Sequence, residues 1–158
     1  MIAAAVWLML VFSSIGRSEV WNGIAPLKST RADVEGLLGR NTNDSVVQYK
    51  LKNQKVLIWY ATADGCSSSD NEWNVPVNTV TSIHVFLNQA TVLNKAPFDL
   101  TSFEKVRGDA DLPNHYYYVN KQLGFGVETQ KFADGRDMIT GYLYGPSNAD
   151  LRLRCRRA

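Results

Sequence analysis

The side chains that most readily carry acid–base or nucleophilic chemistry near neutral pH are few here: two histidines, His84 and His115, and two cysteines, Cys66 and Cys155. A nucleophilic centre needs Ser or Cys beside a His base, with an acid to orient the base. Ser82 and His84 alternate along one extended stretch, so they share a strand face, but solvated sheets carry the same pattern. Gly65-Cys66-Ser67-Ser68-Ser69 lacks the second glycine of a nucleophile elbow. Cys66 could form a thiol pair with either histidine, unless a disulfide consumes the thiol. Asp64, Asp70 and Glu72 crowd around Cys66 without the spacing of a calcium loop. No Cys-x-x-Cys or Cys/His cluster offers a metal site. Gly124-Phe125-Gly126 is not followed by the Lys-Ser or Lys-Thr of a phosphate loop. The residues therefore imply no catalytic set, no metal and no cofactor. The alternative is a small extracytoplasmic hydrolase using His84 or His115 with a nearby acid.

The two cysteines also speak to compartment. They lie 89 positions apart, which in an exported chain reads as one disulfide, with two free thiols as the alternative. Ala3 to Phe12 is an uncharged apolar run of about 15 Å as helix, roughly half of a bilayer core. Small residues after it, Ser14, Gly16 and Ser18, suit cleavage after Gly16 or Ser18. The expectation is a signal peptide over 1–18, a mature domain over 19–158 and a periplasmic or extracellular address. A buried amino-terminal helix or strand is the other reading of that run. After cleavage no transmembrane span is expected. The formal net charge is +2, so nothing in the overall charge points to nucleic acid.

Around these residues the chain alternates short helical and extended patterns. Thr30 to Gly39 reads as a two-turn helix with Thr30 and Asp33 as capping box, a Val34, Leu37, Leu38 stripe, and Gly39 as stop. Strands are expected over 46–51, 56–62, 79–87, 115–120, 125–129 and 138–144. Pro97 to Val106 reads as a second short amphipathic helix with Asp99 as N-cap. An offset of 68 aligns Tyr49 with Tyr117 and suggests two tandem helix-plus-three-strand units, 29–88 and 97–145. Two ordinary hairpins that resemble each other by chance are the plainer account. The fold expected is α+β, with short helices packed on an antiparallel sheet. Leu151 to Cys155 is expected as a terminal strand, with Leu151, Leu153 and Cys155 on one face.

The run from Trp21 to Gly39 (W-x-G-I-x-P-L-x-S-T-R-x-D-V-E-x-L-L-G), with Trp73-Asn74-Val75-Pro76, resembles a family of uncharacterised exported bacterial proteins. The capped helix followed by strands is more distantly similar to the SmpA/OmlA (BamE-like) fold, and the doubled arrangement resembles the β-lactamase inhibitor protein. Those resemblances imply an α+β fold that acts by binding other proteins. No lipid-anchor cysteine stands near the expected cleavage point, a departure from the BamE-like pattern.

Two stretches could form an interaction surface. In His115-Tyr116-Tyr117-Tyr118 the middle tyrosine faces away from its neighbours, and with Trp59 and Trp73 these rings could build an aromatic patch or simply a core. Arg152, Arg154 and Arg156 make the tail basic, either as charge protecting a sheet edge or as a contact for an anionic surface. The expected function is a non-catalytic exported binding module, its partner another exported or envelope protein.

Overall fold

The computed structural model describes residues 18–41, 45–67, 72–108 and 112–156. The apolar run before residue 18, Asp70 and Arg157 lie outside them. Seven strands are present: β1 (Val46–Lys50), β2 (Gln54–Tyr60), β3 (Val80–Val92), β4 (Glu104–Arg107), β5 (His115–Asn120), β6 (Phe125–Lys131) and β7 (Asp137–Tyr144). They form one sheet in the order β1-β2-β3-β7-β6-β5-β4, every neighbouring pair antiparallel. Two meanders thus meet at the β3–β7 seam. The turn between β5 and β6 needs glycine at 124: φ is 61°, and a Cβ there would stand 2.2 Å from the Gly145 carbonyl oxygen.

This is not the α+β fold with helices packed on a sheet that the sequence led us to expect. Among the described residues there is one α-helix, α1 (Arg31–Leu38). It is capped as read: Thr30 N–H donates to Asp33 Oδ2 at 2.7 Å, and Asp33 N–H donates to Thr30 Oγ1 at 3.3 Å. Only Val34 of its stripe is fully buried, and Leu37 is exposed. The expected second helix is absent. Asp99 caps a single 3-10 turn, Leu100–Ser102, and the chain then extends because Glu104–Arg107 pairs with β5. Aromatic packing explains the change: Phe98 and Phe103 both meet Phe125, at 5.8 and 6.1 Å between ring centroids, and one helical turn cannot outweigh that burial.

The expected terminal strand is also different. Asn148–Leu153 is a 3-10 segment capped by Ser147 and Asp150, followed by a single bridge between Arg154 and Trp73. Leu153 packs on a small cluster of Leu27, Ala61 and Val75, while Leu151 is half exposed. Cys66 and Cys155 are disulfide-bonded, and the Cys155 N–H donates to the Glu72 carbonyl at 2.9 Å. Closing so long a loop removes unfolded-state entropy worth about 4–5 kcal/mol in the chain model. Ser18 is buried, and its hydroxyl donates to Asp150 Oδ2 at 2.6 Å, tying the start of the described chain to the capped tail.

One face of the sheet holds the main core. Val56, Ile58 and Tyr60 of β2, with Ile83 and Val85 of β3, pack under Val34, Trp21 and Ile24. Each such aliphatic side chain contributes about 1.5–3 kcal/mol when fully buried. On the same face of the other meander, Phe125, Tyr142 and Tyr144 pack with Phe98 and Phe103. Both halves of this face are therefore covered, one by α1 and the amino-terminal segment, the other by the 98–103 segment.

Candidate functional site

Strand alternation sends the intervening residues to the opposite face. Trp59 on β2, Ser82 and His84 on β3, Leu143 on β7, Gly126 and Glu128 on β6, and His115 and Tyr117 on β5 all stand there by register. Neither α1 nor the 98–103 segment covers this side. The tail from Pro146 onward lies against part of it, leaving a cleft of about 730 Å³. Its lining includes Trp59, Trp73, His84, Tyr117, Leu143 and Arg154. A second hollow of about 630 Å³ shares Trp59, Trp73, Ser82 and Pro146 with it and reaches Glu72.

Beside the cleft lies a buried cluster. Glu128 Oε2 accepts from His84 Nε2 at 2.7 Å, and Glu128 Oε1 accepts from His115 Nε2 at 2.6 Å. The three side chains are 9%, 13% and 5% exposed in the order Glu128, His84, His115, so the carboxylate is shared by two imidazoles away from bulk water. His84 and Glu128 do not sit on neighbouring strands. β7 runs between them, which separates their backbones by about 9–10 Å. They meet because residue 141 is glycine: a Cβ there would come 2.7 Å from Glu128 Oε2 and 2.6 Å from the Val85 carbonyl oxygen. Gly108 plays the same part for the second histidine, since a Cβ there would stand 2.2 Å from His115 Nδ1. Phe86, which faces Gly141 in register, brings its ring to 3.8 Å from that of His84, and Tyr117 meets His115 edge-on at 4.9 Å.

Burial pushes the Glu128 carboxyl up, but the hydrogen bonds and charge of His84 and His115 outweigh it and hold the group below the ordinary glutamate range. Glu128 is thus an anion whose two oxygens are both committed. With Nε2 of His84 fixed on Glu128, Nδ1 is the nitrogen left to meet anything in the cleft. Chemically the pair can orient an imidazole and leave one of its nitrogens for a bound molecule. Among the described residues, no group of three His, Cys, Asp or Glu is arranged to hold a metal ion.

The residues singled out from sequence divide between the faces. Trp59, Trp73, Tyr117 and Arg154 come together around the cleft. Tyr116 and Tyr118 stand on the other side of β5, where Lys105 Nζ lies 4.2 and 5.3 Å from their ring centres. Arg152 and Arg156 are exposed and do not line the cleft. Sequence reasoning missed Glu128, Gly141 and Gly108. The available signal was an acid between Val127 and Thr129 in an apolar strand, a place that demands a partner once the strand is central. Comparison with protein-family models, with curated proteins and with solved structures returns no match, so the site is interpreted from its own residues.

Proposed function

We propose that this protein is a binding module that takes an apolar ligand into the cleft on the sheet face opposite α1. The observation that carries this reading is a cleft of about 730 Å³, in the size range of small-molecule sites, lined by Trp59, Trp73, Tyr117 and Leu143 rather than filled by the protein's own core. Its tail-side wall is held in place by the Cys66–Cys155 disulfide and the Trp73–Arg154 bridge, so little ordering is left to be done on binding. The disulfide also supports an oxidising, extracytoplasmic address, with another exported or envelope molecule as the source of the ligand. Leader cleavage after Gly16 keeps the Ser18–Asp150 hydrogen bond, whereas cleavage after Ser18 would remove it.

The test is a titration with an uncharged apolar probe, 1-naphthol, followed by quenching of tryptophan fluorescence. Saturable binding that weakens at least tenfold in Trp59→Ala supports the reading. Unsaturable quenching, or equal affinity in the variant, overturns it.

The Glu128–His84 pair favours a second reading, in which His84 acts as general base toward water or a hydroxyl held in the cleft. Hydrolysis of p-nitrophenyl esters above background, lost in His84→Gln while the variant still binds 1-naphthol, would favour it. Rates equal in the two proteins would exclude it for that substrate class.

A further inference from the structure

The charge around the cleft is one-sided. Among the described residues the charged lining is Lys121 and Arg154, His84 adds a ring nitrogen, and no Asp or Glu lines the cleft. Lys121 is compensated: its Nζ lies 2.7 Å from Glu104 Oε2, an exposed pair that is screened by water. Arg154 has no ion-pair partner among the described residues, and its backbone is fixed by the bridge to Trp73 and the adjoining disulfide. An arginine on an anchored backbone thus stands at the rim of an aromatic trough whose floor carries an imidazole.

Building on the binding reading above, we infer that the ligand is an anionic amphiphile: an apolar chain or ring system ending in one carboxylate. The apolar body lies along Trp59, Tyr117 and Leu143. The carboxylate takes the Arg154 guanidinium, whose paired N–H donors match its two oxygens. Glu128 cannot compete for that role, because both its oxygens are occupied by His84 and His115. Glu72, in the neighbouring hollow beyond Trp59 and Trp73, disfavours a second anionic group at that end and so limits the ligand to one.

The experiment is calorimetric titration of the intact, oxidised protein at pH 7 with three ten-carbon probes: decanoate, 1-decanol and decyltrimethylammonium. Decanoate is expected to bind at least tenfold tighter than 1-decanol, with the cation weakest. Raising the salt concentration should narrow the decanoate advantage. In Arg154→Gln the decanoate advantage should collapse, leaving the acid and the alcohol within about threefold of each other. If decanol binds as tightly as decanoate, or Arg154→Gln leaves the tenfold gap intact, the anionic assignment is wrong and the apolar-cleft reading survives. If none of the three binds while 1-naphthol still does, the anionic assignment alone falls; if 1-naphthol fails as well, both fall.

Discussion

The two faces of the sheet are built from the same strands by the same alternation, yet they do different work. On the α1 side, Val56, Ile58, Ile83 and Val85 are essentially unexposed and belong to one cluster of aliphatic and aromatic side chains. On the other side, one residue along in each strand, Trp59, His84, Tyr117 and Leu143 border open space, and the Glu128–His84–His115 cluster lies among them. The first face gains free energy by burying aliphatic surface. The second spends some of it on placing a carboxylate and two imidazoles where water is scarce. A sheet with one face covered and the other only partly so can therefore keep stability and recognition physically apart.

That separation can be broken most strongly from the core side. Ile58→Ala should lower unfolding free energy by about 2–5 kcal/mol in denaturant titration. Among molecules still folded, affinity for a cleft probe should stay the same, and a change in affinity would show the faces to be coupled. On the other side, Gly141→Ala should cost about 1–3 kcal/mol, because its Cβ meets the Val85 carbonyl and displaces Glu128 from His84. Unlike the core change, it should also alter binding in the cleft.

Glu128→Gln sharpens the comparison through pH. The folded-state pKa of Glu128 lies below its ordinary value near 4.5, so its contribution is present above that value and is lost as pH falls through the folded pKa. Wild type should accordingly lose more stability than Glu128→Gln between about pH 5 and the acid limit of folding, at constant ionic strength. Parallel stability curves would contradict the assignment of a charged, doubly bonded carboxylate. The smallest effect belongs to the covered face. The Tyr60 hydroxyl is buried with the Tyr49 hydroxyl as its side-chain neighbour, so Tyr60→Phe should shift stability by no more than about 1 kcal/mol.

Much of the architecture could be read from residue types. Thr30, Asp33 and Gly39 are local signals for α1, and residue patterning located six of the seven strands, β4 excepted. Pro97 to Val106 misled because an amphipathic spacing of so few residues fits a helix or a strand equally well. Phe98 and Phe103 settled it by packing on Phe125, a partner more than twenty positions away. The cluster was hidden for a related reason. His84, Glu128 and His115 become neighbours only when β7 is inserted between β3 and β6, and no local pattern encodes that strand order. Gly141, a gap in β7 over which two side chains meet, looks like any weak point in a strand until its neighbours are known.

The central claim is that the face opposite α1 receives the ligand. Backbone amide chemical shifts recorded during a decanoate titration test it most directly. Saturating changes confined to Trp59, Tyr117, Gly126, Leu143 and Arg154, with Val34, Ile58 and Val85 unmoved, are the predicted result. Changes centred on α1 and its underlying core, or changes that never saturate, would contradict it.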